Sequence, residues 1–486
     1  MVNGNLALSL IKSENEITIQ ESPIKWSSIS LSDVVARGKR LEASVFDVEA
    51  KHAREILNNG KYPLTTVCGK TGLANAYTCA RFKRIWVKKS KFPIYQPSSI
   101  LDIKPTPDGY ISSKTKVNID SLRVSKGQIL MTCSGTIGKI AYVSDTLDNL
   151  IFSHDLLRIT CKELIDAGYL YTYFKSYIGQ KILTTSQYGA VISHIEPEHL
   201  LSVPVPNPDI SIKTLINKLI VASFSLRDKS NELINIATQK LIDELKLPPL
   251  DEMIAKNNVV NTFSVKLSNL ATRADASYHV PVVNDIIKHL KKYAAEITTV
   301  ADPRISQNVT LPGRFKRVYV EEGQGYPFIG GKQINELDPS NKKYLSKVKH
   351  SERIKNELLL NEGTTLITRS GTIGKVALVP KHWEKWVASE HIIRVVPANK
   401  EIAGYLNIFL SSDYGYQLIK RYTYGSVVDE IDDNQVRQII IPLLKNQEVQ
   451  KEINDLVLEA NAKRYEAYCL EQQALKIMNE QVIFAK

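Results

Sequence analysis

Two six-residue blocks, Ser134-Gly-Thr-Ile-Gly-Lys139 and Ser370-Gly-Thr-Ile-Gly-Lys375, bring together residue types that handle phosphate: glycines, hydroxyls and a lysine. A phosphate-binding loop needs Gly, four residues, then Gly-Lys-Ser/Thr, so that backbone N–H groups cradle the anion and the lysine reaches across it. Here only two residues separate the glycines, and Ile140 or Val376 follows the lysine. Gly69-Lys70-Thr71 fails as well, because Leu64 stands where the first glycine is required. Lying between strand-like segments, the glycines of the repeated block read as turn formers. Two readings stay open: a purely structural turn, or a turn that also presents Ser134, Thr136, Lys139, Ser370, Thr372 and Lys375 to DNA.

A second repeated block sets Arg81-Phe-Lys-Arg-Ile-Trp-Val87 against Arg314-Phe-Lys-Arg-Val-Tyr-Val320. In a strand, successive side chains point to opposite faces, so Phe82 and the apolar residues can pack while the cations face out. Arginine suits bidentate contact with phosphate or with guanine edges. Arg81, Lys83, Arg84, Arg314, Lys316 and Arg317 are therefore candidate DNA contacts, with a solvated basic edge strand as the alternative.

Catalytic constellations are missing. The chain has no Asn/Asp-Pro-Pro-Tyr/Phe signature of an amino-methyltransferase, no glycine-rich nucleotide fingerprint after a strand and no His-Glu-x-x-His. Asp209 follows Pro208, but Glu244 and Lys246 lie far outside nuclease-like spacing. His154-Asp155 and Glu390-His391 occupy matched segments in swapped order, which reads as surface or packing rather than shared chemistry.

The balance of charge points to a polyanion. The 486 residues carry a formal net charge of +12, and cations that neutralise phosphates release condensed counterions. A hydrophobic fraction of 43% and a charged fraction of 23% suit a globular chain of two to four domains. The five cysteines are scattered without Cys-x-x-Cys spacing, so a disulfide framework or zinc site is not expected, and the thiols read as reduced and cytosolic. The N-terminus lacks the pattern of a signal peptide, and no apolar run is long enough to span a membrane.

The elements that must position these blocks repeat too. The first block recurs at an offset of 236, and the match runs on through Ser153/Ser389, Arg158/Arg394, Ala167-Gly-Tyr-Leu170/Ala403-Gly-Tyr-Leu406, Tyr188-Gly189/Tyr424-Gly425 and Pro206/Pro442. The basic block, with Ala43-Ser44 against Ala276-Ser277, recurs at 233. A period near 235 means a duplicated domain rather than a solenoid. Gln128–Met131, Ile140–Val143 and Leu156–Ile159 read as short strands, followed by a helix from Ala167 to about Leu183, so each copy is α+β. After each copy comes a long segment free of Pro and Gly. In the first, Ile212, Leu219, Leu226 and Leu233 stand seven apart, with Leu215, Ala222 and Ile236 on the neighbouring seam. In the second, Ile453, Ala460, Ala467 and Ala474 stand seven apart, with Leu456, Leu470 and Ile477 between them. Each helix spans roughly 50 Å, and neither can bury its stripe alone. The simplest arrangement pairs them antiparallel with a domain at each end; packing of each helix on its own domain is the alternative.

These two blocks, with Gly325-Tyr-Pro-Phe-Ile-Gly330 and the domain–helix–domain–helix plan, resemble the specificity subunit of Type I restriction–modification systems, over the chain from about Leu31. The resemblance implies two α+β target-recognition domains, 31–207 and 251–444, separated by antiparallel coiled-coil-like spacer helices, 208–250 and 445–486, after an N-terminal extension, 1–30. It implies that each domain reads one half of a bipartite DNA site, asymmetric because the copies differ. Specificity is expected in the segments that differ most, Lys88 to Tyr110 and Glu321 to Tyr344. The helices would set the gap and dock two methyltransferase subunits through Leu219, Leu226, Leu233, Ile453, Leu456, Leu470 and Ile477. The chain itself would hold no catalytic residue, metal or cofactor; S-adenosylmethionine, ATP and Mg belong to partners, among them a translocating nuclease subunit. The rivals are a methyltransferase or nuclease with an unrecognised active site, and an interaction scaffold that does not bind DNA.

Overall fold

The computed structural model describes residues 28–36, 47–185, 194–257, 262–270, 273–339, 342–425 and 428–486. Most of the expected N-terminal extension, the Ala43-Ser44 match and Tyr188-Gly189 lie outside the described residues.

The duplication in sequence is a duplication in topology. In the first copy, strands Ala74–Tyr77, Leu156–Cys161, Ile129–Thr132 and Ile140–Tyr142 form an antiparallel sheet in that order. A second sheet orders Trp86–Val87, Gly109–Ile111, Pro93–Tyr95 and Ile151–Phe152, the last pair parallel. Leu64–Thr66 pairs with Pro204–Pro206. The second copy repeats all three: Ser306–Thr310, Ile392–Pro397, Thr365–Thr368 and Val376–Leu378; then Tyr319–Val320, Lys343–Ser346, Gly325–Ile329 and Val387–Ala388; then Glu296–Thr299 with Ile440–Leu443. The fold is α+β in both.

Where one helix was expected from Ala167 to about Leu183, the chain forms two, Leu164–Lys175 and Tyr177–Thr185. Ser176 breaks them: its backbone is extended, and its hydroxyl accepts from Gly179 N–H at 3.1 Å, which starts a new helix rather than continuing the old one. Ser412 and Gly415 repeat the device at 3.1 Å.

The repeated Gly-Tyr-Leu motif fastens each domain to a spacer helix. Gly168 N–H donates to Asn217 Oδ1 at 2.9 Å, and Gly404 N–H to Asn454 Oδ1 at 2.8 Å. A Cβ on Gly168 would lie 2.7 Å from Asn217 Cα, and one on Gly404 would lie 2.4 Å from Asn454 O, so only glycine lets the helices approach. The tyrosines that follow, Tyr169 and Tyr405, each donate at 2.6 Å to the carbonyls of Pro206 and Pro442, which ties the matched prolines to the same motif. Arg158 and Arg394 are buried and donate to backbone carbonyls, including Leu122 and Phe152 in one copy and Ser389 in the other. Their repetition is structural.

The spacer helices are Ile210–Glu244 and Gln447–Ile477. Ser223 bonds Ala467, Arg464 bonds Ser230 and Lys240 pairs with Glu452, so the contacts fall along one helix as they rise along the other: the pair is antiparallel. In the second helix Ile453, Ala460, Ala467 and Ala474 are fully buried, Leu456 and Leu470 half-buried and Ile477 buried. In the first, the buried line is not the leucine one. It runs Ile216, Ser223, Ser230, Ala237, one residue on from the expected neighbouring seam, whose Leu215 and Ile236 are 44% and 39% exposed. The reason is close approach: Ser223 Oγ donates to Ala467 O at 2.7 Å, a distance that bulky side chains at this seam would prevent. Leu219 leans instead on the first domain's core, Leu226 is half-buried and Leu233 is buried.

The two proposed packings turn out to coexist. The first domain's core takes Ile216, Ile220 and Phe224 from the start of the first helix and Ala474, Ile477 and Met478 from the end of the second. The second domain's core takes Ala237 and Leu241 from the end of the first and Ile453 and Val457 from the start of the second. Each domain thus closes over both helices at its own end of the pair.

Candidate nucleic-acid interface

The basic blocks are not strands through most of their length. Only Trp86–Val87 and Tyr319–Val320 enter the ladder, each at a sheet edge, and the Arg-Phe-Lys-Arg residues before them are irregular. Two of the four side chains turn inward. Phe82 packs edge-on to His154 at 5.7 Å and Phe315 to His350 at 5.1 Å. The second arginine of each block meets an acid: Arg84 lies 4.0 Å from Asp155, and Arg317 holds Glu390 at 2.7 Å. Burial alone would raise the Glu390 carboxyl, but Arg317 holds it below its ordinary value. These tethers, rather than ladder pairing, fix the backbone of the block.

The remaining pair faces solvent. Arg81, Lys83, Arg314 and Lys316 are exposed, and beside them lie the exposed apolar side chains of Ile85, Trp86 (51%) and Tyr319 (38%). Among the described residues no ion pair is formed by Arg81, Lys83 or Lys316, whereas Arg314 reaches Glu430 at 2.8 Å, sharing it with Arg369 at 2.6 Å. Exposed cations flanked by exposed aromatic surface at a sheet edge suit a phosphate backbone and the sugars or bases beside it.

The swapped acid and histidine have a role that sequence order concealed. Asp155 in one copy and Glu390 in the other reach the equivalent arginine, so the swap preserves the contact. The histidines diverge: His154 packs on Phe82, while His391 Nδ1 lies 2.9 Å from Ser370 Oγ.

The Ser-Gly-Thr-Ile-Gly-Lys blocks form hairpin turns, Ile129–Thr132 to Ile140–Tyr142 and Thr365–Thr368 to Val376–Leu378. Thr132 Oγ1 donates to Thr136 O at 2.6 Å and accepts from Lys139 N–H at 3.0 Å; Thr368, Thr372 and Lys375 repeat both distances. Gly138 and Gly374 sit at φ of 82° and 80°, a left-handed conformation that favours glycine. Thr136 and Thr372 are exposed at the turn tips, and Ser134 and Ser370 are half-buried. Lys139 and Lys375 line a cleft between the domains that also holds Asp102 and Glu336, with Ser134 and Thr136 at its wall.

A buried ionic cluster locks the other side of that junction. Glu471 of the second spacer helix is fully buried, bonded to Lys175 Nζ at 2.6 Å, to Tyr171 Oη at 2.7 Å and to Arg227 of the first helix. Lys175 also reaches Asp338 of the second domain at 3.5 Å. Sequence reasoning missed this cluster and the Asp102/Glu336 pair. The available signal was slight: at an offset of 234 two acids stand opposite each other.

Among the described residues no group of His, Cys, Asp and Glu could hold a metal, and no helix is long and apolar enough to cross a membrane. All five cysteines are free.

The family described as Type I restriction modification DNA specificity domain matches residues 23–244 and 313–458. No curated protein matches the chain. Among solved structures, the Type I restriction-modification system S subunit from M. genitalium is similar at 13% identity over 88% of this chain and 96% of its own, with a TM-score of 0.34. The HsdS subunit from Thermoanaerobacter tengcongensis is similar at 14% identity over 85% and 98%, with a TM-score of 0.26.

Proposed function

The chain belongs to the Type I restriction modification DNA specificity family and is a DNA specificity subunit, a recognition rather than a catalytic component; from that premise we propose that its two domains read the two unlike halves of one split double-stranded DNA site. The observation that supports this most is the pairing of identical strand order with unlike exposed surfaces: Trp86 beside Lys83 in one copy, Tyr319 beside Lys316 in the other. The readers are taken as 31–207 and 251–444, and the spacers as 208–250 and 445–486.

In this reading Arg81, Lys83, Arg314 and Lys316 contact the backbone, and the turn tips at Thr136 and Thr372, with Ser134 and Ser370 beneath them, approach the duplex. Arg84 and Arg317 position the block through Asp155 and Glu390. Two methyltransferase subunits dock along the helix pair, bringing S-adenosylmethionine and methylating adenine; a translocating nuclease partner brings ATP and Mg. The complex works in the cytoplasm, where that DNA lies. The faces of the first helix left uncovered, with Leu215, Val221 and Ile236 exposed, offer apolar surface to such partners, whereas Leu219, Leu233, Ile453 and Ile477 are taken up within the chain.

A nuclease-protection footprint of the chain with its methyltransferase subunits on random duplex DNA tests this. Two protected half-sites of different sequence, separated by an unread gap, are expected; a palindromic or continuous site would contradict the reading.

A further inference from the structure

The two domains touch directly, and the contact follows the internal symmetry of the duplication. Asp102 and Glu336, equivalent positions in the two copies, pair as an isolated antiparallel bridge, and Ile103 N–H donates to Asn335 O at 2.8 Å. Each acid faces the turn lysine of the opposite domain. Lys139 Nζ lies 3.4 Å from Glu336 Oε1, and Lys375 lines the same cleft as Asp102. Both carboxyls are partly desolvated: burial pushes that of Asp102 up to about 6, against the pull of Lys375 and Lys139, and raises that of Glu336 against Lys139.

The seam is also pinned to the spacer. Asn231 Nδ2 donates to Ile103 O at 2.8 Å, and Lys104 Nζ to Asn235 Oδ1 at 2.5 Å, both on the first helix. In the second copy Trp383 Nε1 donates to Leu337 O at 3.1 Å, while His382 stacks on Tyr468 of the second helix with centroids 4.1 Å apart. Each domain also has a core of its own away from the seam. What the seam removes is freedom of one domain relative to the other.

That freedom matters for a split site. One base-pair step along B-DNA moves the next half-site by about 3.4 Å and turns it by about 35°. Readers joined only through their helices can bend or twist to follow such a step; readers also clasped at the midline cannot. We infer that the Asp102–Glu336 seam, with its crossed lysines, fixes how many unread base pairs the subunit accepts between half-sites. These are positioning residues for spacing, distinct from the side chains that read bases. The inference rests on the two-reader function above.

The test uses the full chain with its methyltransferase subunits, on duplexes carrying the wild-type half-sites with spacers of the preferred length and one base pair shorter or longer. The double variant Asp102→Lys, Glu336→Lys sets four cations together at the seam. Methylation at the off-length spacers, relative to the preferred one, is expected to rise about tenfold or more, with the half-site sequences unchanged. Asp102→Cys with Glu336→Cys guards against misfolding, because a bridged antiparallel pair lies within disulfide range. Oxidised, this variant should keep the wild-type spacing; reduced, it should relax it. The same spacing preference in both redox states, or in the lysine variant, would overturn the inference alone. A wild-type complex that reads no split site would overturn the two-reader function as well.

Discussion

Replacing Glu471 with Gln is expected to destabilise the chain by about 3–5 kcal/mol, the cost of removing one member of a buried ionic group and leaving the others uncompensated. Glu471 is fully buried, and Lys175 and Arg227, each with a side chain only 17% exposed, depend on it. Glutamine keeps the shape and can still accept from Tyr171, but two cations then face each other without their shared carboxylate, and Asp338, 3.5 Å from Lys175, is also engaged by Lys342. Burial by itself would push the Glu471 carboxyl up; Lys175 and Arg227 hold it down, to about 2 instead of 4.5. A carboxylate with a depressed native pKa stabilises above its unfolded value and loses that contribution as pH falls through the native one. Wild-type stability should therefore decline between about pH 4.5 and 2 on this account, and Glu471→Gln should lack that part of the decline. Urea titrations at pH 7 and at steps from about pH 4.5 down toward pH 2 measure both. A loss below about 1 kcal/mol at pH 7 would mean that the cluster does not hold the helices and domains together.

The second large effect concerns DNA. The triple variant Arg81→Ala, Lys83→Ala, Lys316→Ala removes exposed cations that have no ion-pair partner among the described residues. Affinity for the cognate duplex is expected to fall about a hundredfold near physiological salt, and the slope of log K against log salt to flatten by about 2–3, close to one unit for each phosphate no longer neutralised. Folding should be unaffected, since none of the three packs inward. Arg84→Ala and Arg317→Ala supply the contrast: they release Asp155 and Glu390, so they should loosen the block first and weaken binding only through it. An unchanged salt slope in the triple variant would remove the basic edges from the DNA interface.

Much of this architecture was legible in the residues. The Gly-Tyr-Leu repeat, its matched proline and the alanine heptad of the second helix are all local patterns with one structural meaning, and each sits in the structure as its type suggests. The first helix was harder. Its leucines outweigh its serines in any hydrophobic pattern, yet the small serines line the closest approach, because the distance between helices is set by the smallest side chains. The Arg-Phe-Lys-Arg block showed the right alternation but not its backbone, which is held by acids some seventy residues away. The lysines of the Ser-Gly-Thr-Ile-Gly-Lys turns carried the opposite problem. Their local sequence suggests an anion, while the anion each faces is a carboxylate supplied by the other domain. Pairings across a duplication leave almost no trace in either copy alone. The same seam takes up the middle of both segments expected to differ for specificity, Lys88 to Tyr110 and Glu321 to Tyr344, so only their outer parts are free to face DNA.

The most direct test of the central claim is a methylation map of the host genome with and without this gene. The expected result is the loss of one methyladenine motif made of two unlike half-sites around a fixed gap, with all other motifs intact. An unchanged map, with the methyltransferase subunits shown to be expressed, would contradict the claim that this chain chooses where they act.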